Sequence, residues 1–509
     1  MTARPAFDVL IVGGGIMGAS SAALLREADA SLRIGMVDAG PVIGTGDIHH
    51  LHESTDPEIW ARYNQQVGSG IQGLYAGDPM DPIVFDPDAT LEPGVHRLAS
   101  MGQDAGGMPG AALAWNAGGM GVHWTAATPW PDATERFGDE ERWDRDLAEA
   151  RRLLKVSPSP IGPTAVGERV LEVLRERLGR FGAPDRLPQP MPMAVQKDGD
   201  RLIRTGPAAI FPPMAEGGDP NFELTLGTAA VELLHDGERV SGARVRTLDS
   251  GEEYDIEAAV VIVCADAMRT PQILFASGIR PPALGRYLNE HAFISNRVVV
   301  DLDRFDIALD DLPSLQPGEV VTDSLWIPRN GDEQPFQAQV MNRTYVDDEH
   351  RPIGYGVGLS LYVPLAVRED SRIEFSERET DVAGLPRMSI RYAYSDDDLA
   401  RIDRGRAFVE EVAGDFGDFD LATDSALLPA GSSLHFTGTV RSGSVDDGSS
   451  VCDPAGRVWG FDNLYVAGNG VIPTSLACNS TLTGVVTAVR AVESITANLP
   501  ASVTTSKGL

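Results

Sequence analysis

Phe7–Val12 is a short, β-branched apolar run that ends in Gly13-Gly14-Gly15. Small and apolar residues then recur at helical spacing over Ile16–Ala28, and a second apolar run, Leu32–Val37, ends at Asp38. Strand, glycine turn, helix and strand make a βαβ unit at the start of the chain. Periodicity fades between Pro41 and Pro93, where Asp, Gly, Pro and His are dense. Asp139–Leu154 and Gly167–Leu178 read as charged amphipathic helices. Phe222–Leu234, Val240–Thr247 and Ala258–Val263 read as strands, with a turn at Asp236-Gly237. Alternation over Asp301–Tyr394 predicts an antiparallel sheet. Ser395–Val412 reads as a helix, Asn463–Val466 as a buried strand, and about Thr483 to Ala497 as the last helix. The βαβ pieces sit at both ends and the meander between them. The expected fold class is therefore α/β (α+β overall): a discontinuous Rossmann-like nucleotide-binding domain with an antiparallel-sheet domain inserted.

Composition narrows the function without naming it. The 509 residues hold 42 Lys+Arg against 74 Asp+Glu, a formal net charge of −32, which argues against nucleic acid or an anionic membrane as partner. Cys264, Cys452 and Cys478 are too few and too scattered for a disulfide framework or a zinc site. The N-terminal apolar stretch is too short and glycine-rich for a signal peptide, and no run approaches the roughly 18 apolar residues of a membrane span. A cytoplasmic, soluble protein is the expectation.

Three segments carry candidate chemistry. In Gly13-x-Gly15-x-x-Gly18 the glycines permit a tight turn, close approach of backbone to a pyrophosphate, and close helix packing, while Asp38 at the next strand's end can take ribose hydroxyls. A 2′-phosphate would meet like charge at Asp38, which argues against NADP; FAD and NAD stay open on this motif alone. The second segment is Asn116-Ala-Gly-Gly-Met-Gly-Val-His123-Trp124-Thr125, whose glycines bring backbone against something flat or crowded. The third is Leu434-His435-Phe436-Thr437, followed by Leu464–Thr474 with its Gly468-Asn469-Gly470 turn, then Asn479. His49-His50-x-His52 lacks an obvious fourth ligand and reads as a polar loop rather than a metal site.

These segments, with CADAMRTPQILFASGI (Cys264–Ile279) and GRYLNEH (Gly285–His291), occur in the order found in the glucose–methanol–choline oxidoreductase superfamily. The chain most resembles its pyranose-oxidase-like branch, the bacterial pyranose 2-oxidases and C-glycoside 3-oxidases. That resemblance implies FAD, with Gly13, Gly15, Gly18 and Asp38 on its ADP half. Gly119, Met120, His123, Trp124 and Thr125 would lie along the isoalloxazine, and Gly468, Asn469, Pro473 and Thr474 near the ribityl chain and pyrophosphate. Fungal relatives link the flavin covalently through the histidine matched by His123; Val122 replaces their Thr, and non-covalent FAD is favoured here. His435 matches the catalytic histidine and Asn479 its partner.

The implied FAD-binding domain covers residues 1–45, 93–130, 195–300 and 425–499. Residues 46–92 would form an insertion loop or lid, 131–194 a helical insertion, 301–424 the substrate-binding sheet and 500–509 a flexible tail. No metal is expected. The implied reaction removes a hydroxyl proton to His435, with an imidazole pKa near ~6.5, and the carbinol hydride to flavin N5. The substrate would be a glycoside oxidised at C3 or, alternatively, a free pyranose such as D-glucose oxidised at C2. O2 or a quinone would accept the electrons, and the protein would be a monomer or small homo-oligomer. An NAD-dependent dehydrogenase is the remote alternative.

Overall fold

The two sheets meet the sequence pattern differently, and one strand shows why. Strand Glu253–Val263 belongs to two arrangements. Its first half pairs antiparallel with Val240–Thr247, which pairs with Thr228–His235. Its second half runs parallel to Phe7–Val12 and to Leu464–Val466. Phe7–Val12 pairs parallel with Ile34–Val37, and that strand with Phe222–Thr225, completing a seven-stranded sheet. The expected single strand Phe222–Leu234 is thus two strands on opposite sides of this sheet. The break falls at Gly227, whose φ of +59° is a left-handed turn that an ordinary strand residue avoids.

This computed structural model describes residues 7–43, 48–54, 56–61, 85, 91–179, 183–199, 201–316 and 319–499. Most of the expected loop 46–92 and all of the expected tail 500–509 lie outside the described residues. Among the described residues the three cysteines are buried and free.

Parallel strands covered on both faces are apolar throughout, and the two cores divide their side chains by parity. Val9, Ile11, Ile34, Met36, Val260 and Ile262 face one core together with helices Ile16–Ala28 and Ser480–Asn498. Leu10, Val12, Val37, Val261 and Val263 face the other. Each fully buried aliphatic side chain contributes roughly 1.5–3 kcal/mol.

The second sheet is six-stranded and antiparallel, in the order Ser425–Leu427, His291–Val299, Pro352–Pro364, Gln337–Val346, Asp323–Ile327 and Gln189–Pro190. It draws strands from both sides of the expected 301–424 span. Ile294, Val298, Ala338, Val340, Val357, Leu359, Leu361 and Val363 pack one face against helices Ala165–Leu178 and Asp396–Ala413. Thr164 caps the first helix, and Ser395 with Asp398 forms a capping box on the second, which explains why these helices start there. The alternate residues of the same strands, Phe293, Ser295, Gln339, Met341, Ser360 and Tyr362, face a cavity instead. One side of this sheet is a core; the other is a floor.

Candidate active site

The cavity has a volume of about 930 Å³ and runs from the Gly13–Gly15 turn and Asp38, past Gly119–Gly121 and Thr125, to His435, Asn479 and the sheet floor. Its first end is shaped by backbone. Gly13 has φ +106°, and a Cβ on Gly18 would sit 1.9 Å from Gly13 O, so helix Ile16–Ala28 can approach the turn only with glycine there. That helix has no side-chain cap and no acid in its first turn, leaving its N-terminal amides turned towards the cavity wall. Asp38 accepts from Gly14 N at 2.9 Å, Gly40 N at 2.7 Å and Gly118 N at 3.4 Å, tying the turn to the Asn116–Gly119 loop. Burial raises its carboxyl pKa, and these amides oppose the rise.

The expected cofactor residues divide between the cavity wall and its support. Gly13, Gly15, Asp38, Gly119, Met120, Trp124, Thr125, Gly468 and Asn469 line the cavity. Asn469 also brings a buried Oδ1 with no partner in the protein, while its Nδ2 donates to Ser480 Oγ at 2.8 Å. Gly18, His123, Pro473 and Thr474 stand behind the wall. His123 is buried, with Nε2 2.8 Å from Asn116 Oδ1; Thr474 Oγ1 donates to Glu135 O at 2.7 Å; Pro473 O accepts from Arg441.

The uncapped helix terminus, the glycine cradle and the orphaned Asn469 oxygen fit an extended dinucleotide such as FAD. In the histidine loop, His50 Nε2 bonds Trp124 O at 2.8 Å, and His52 meets Glu319 at 3.2 Å beside Arg204. Burial alone would raise the Glu319 carboxyl, but His52 and Arg204 hold it at about 2. No group of metal-ligating side chains occurs among the described residues.

At the other end His435 and Asn479 meet, from residues 44 positions apart: Asn479 Nδ2 lies 3.3 Å from His435 Nε2. Asn479 occupies the N-cap of helix Ser480–Asn498 but makes no cap bond, unusual for a residue that caps well. Its Oδ1 instead accepts from Gln337 Nε2 and Gln339 Nε2, each at 2.9 Å, which fixes the amide with its N–H towards His435.

The partners also settle the histidine tautomer. His291 Nδ1 lies 3.2 Å from Leu476 O, a carbonyl that can only accept, so this nitrogen carries the hydrogen. His291 Nε2 is then an acceptor, and it lies 2.6 Å from His435 Nδ1, which must donate. The lone pair of His435 is therefore on Nε2, where it accepts from the Asn479 amide. Burial pushes the His435 pKa down to about 4, a correction to the expected ordinary value, and also lowers that of His291.

The loop carrying His435 is anchored beneath. Glu290 accepts from Gly431 N at 2.6 Å and Ser433 Oγ at 2.8 Å, and Ser433 Oγ accepts from His435 N at 3.2 Å. Leu434, just before His435, holds φ at +58°, a strained value for a branched side chain that these bonds sustain. His291, Gln337, Gln339 and Glu290 were given no role in the sequence. The usable signal was two glutamines at i and i+2 at the start of strand Gln337–Val346, which puts both on one face.

Comparison with known proteins supplies the family. Residues 207–293 and 367–488 match the two GMC oxidoreductase models. The chain is 38% identical to a C-glycoside 3-oxidase of Microbacterium trichothecenolyticum over 95% of each chain. It is 27% identical to the pyranose 2-oxidase of Tricholoma matsutake, covering 97% of this chain and 94% of the relative. The chain belongs to the GMC oxidoreductase family. A solved variant of Aspergillus oryzae formate oxidase shares the fold, with a TM-score of 0.67 at 16% identity over 98% and 99% of the two chains. Family membership makes the chain an oxidoreductase with a flavin cofactor, FAD, and sets aside the NAD-dehydrogenase alternative. No helix among the described residues is long and apolar enough to cross a membrane.

Proposed function

We propose that this protein oxidises a secondary ring hydroxyl of a glycoside, at C3, to the keto-sugar, using non-covalently held FAD and passing the electrons to O2 or a quinone. One observation carries the reading. An imidazole lone pair at His435 Nε2 and an amide N–H at Asn479 Nδ2 converge on one point of the cavity, above a sheet floor that carries Ser295, Gln339 and Ser360 among its side chains. Bound flavin supplies the hydride acceptor. The side chains supply the rest. His435 Nε2 takes the hydroxyl proton, and Asn479 Nδ2 donates to the oxygen as it gains negative charge. His435 Nδ1–H stays bonded to His291 Nε2, so the cation formed on His435 faces a neutral acceptor. The N-terminus of helix Ser480–Asn498 adds a favourable dipole at the same point.

C3 oxidation of a glycoside is favoured by the likeness to the Microbacterium enzyme, and non-covalent FAD by the place of His123 behind the wall. The likeness to the Tricholoma pyranose 2-oxidase supports the second reading, C2 oxidation of free glucose. Anaerobic bleaching of the flavin by an aryl C-glucoside and by D-glucose separates the two. Faster bleaching by the glucoside, with a 3-keto product by NMR, is the expected result. Faster bleaching by glucose with a 2-keto product supports the second reading, and no bleaching by either overturns both.

A further inference from the structure

We propose that the outer arm of the cavity is an aglycone subsite selective for a planar aromatic group bearing a negative charge. The proposal rests on the glycoside reading above and names which glycosides. Cross-strand register divides the floor into rows. Phe293, Tyr362 and Gln337 form the first, with the Tyr362 ring 5.5 Å from that of His435. Ser295, Ser360 and Gln339 form the second; Arg297, Gly358 and Met341 the third; Val299, Gly356 and Arg343 the fourth. At about 3.3 Å per residue the third row lies roughly 13 Å from the first, beyond the reach of a single hexose ring held at His435.

The outer rows lose side chains where an aglycone would lie. Gly358 leaves bare backbone in the middle strand. At Gly356 a Cβ would fall 2.2 Å from Tyr345 Oη, so glycine is what lets the Tyr345 ring fold back across the floor. Arg343 lies over that ring, 5.1 Å from its centroid. Arg297 and Arg343 stand on the two strands flanking the glycine strand, one row apart. From strand and row spacings their Cα atoms are about 12 Å apart, on either side of a flat platform.

Charge supplies the selectivity. In a chain with 74 acidic and 42 basic residues most arginines are paired, yet neither Arg297 nor Arg343 has an ion pair among the described residues. Asp418 and Asp424 also line the cavity, and Asp424 O accepts from Arg297 N at 3.1 Å, but the Asp424 carboxylate accepts from Asp420 N at 2.9 Å and forms an ion pair with neither arginine. A planar group on this platform meets an aromatic ring and two guanidinium groups, which prefer a carboxylate or ionised phenol.

The test uses the FAD-loaded enzyme and two probes with the same sugar, 4-carboxyphenyl C-glucoside and its carboxamide. Kd comes from anaerobic flavin reduction at several substrate concentrations. The carboxylate should bind about tenfold more tightly, with the gap narrowing at high salt. In Arg297→Gln/Arg343→Gln the gap should close through weaker binding of the carboxylate, and Arg343→Lys should retain part of it. Equal Kd values in the wild type, or a gap that survives in the double variant, overturn the proposal while leaving the glycoside reading intact. If neither glucoside reduces the flavin but D-glucose does, the glycoside reading falls and the subsite with it. Flavin content and thermal unfolding of each variant show whether it has folded.

Discussion

The parallel sheet and the antiparallel sheet meet at one cavity, yet they build their sides of it by different means. The parallel half works through backbone: a glycine turn, an uncapped helix and loop amides gathered by Asp38, all within residues 7–40 and the Asn116–Gly121 loop. The antiparallel half works through side chains brought together from afar, with Gln337, Gln339 and His291 meeting Asn479 and His435 across 140 or more residues. Backbone demands leave local marks at fixed spacing. Side-chain convergence leaves almost none.

Substitutions should break the two halves in different ways. The largest effect is expected from Gly18→Ala, whose methyl would meet Gly13 O at 1.9 Å. The purified variant should lack the yellow flavin band and all activity; full flavin occupancy would show that the cradle tolerates a side chain. Asn479→Ala should keep its flavin but slow flavin reduction about a hundredfold, the scale of losing one donor to a developing oxyanion. His291→Phe removes the acceptor for His435 Nδ1–H and should cost up to about a hundredfold through a misaimed base. His291→Gln, which can still accept, should recover part of that loss. Equal losses in the two variants would reduce His291 to a packing role. The smallest effect is expected at His123→Ala. Its flavin should stay releasable by acid, as in the wild type, with reduction within about tenfold; a wild-type flavin that resists acid release would place a covalent bond at His123.

This contrast also explains what was legible in the sequence. Gly13, Gly15, Gly18 and Asp38 stood out because a turn and a close approach need those residues in that order. The elements Phe7–Val12, Ile16–Ala28 and Val240–Thr247 emerged at the expected bounds because each is a local apolar or β-branched pattern closed off by turn residues. His435 and Asn479 were found through family likeness, not periodicity. His291 and the two glutamines were missed because their role exists only in the cross-strand register. The pKa of His435 was misjudged for a similar reason: burial by Tyr362, His291 and their neighbours is a property of the packed site.

The central claim is that His435 Nε2 is the base. Anaerobic stopped-flow reduction of the flavin by an aryl C-glucoside, in wild type and His435→Ala across pH, tests it most directly. Only the unprotonated imidazole accepts a proton. Wild-type reduction should therefore stay level from about pH 8 to about pH 5 and fall as pH drops through about 4. His435→Ala should retain FAD, reduce it roughly a thousandfold more slowly and lose that acid limb. Reduction by His435→Ala within about tenfold of wild type, with the acid limb intact, would contradict the account.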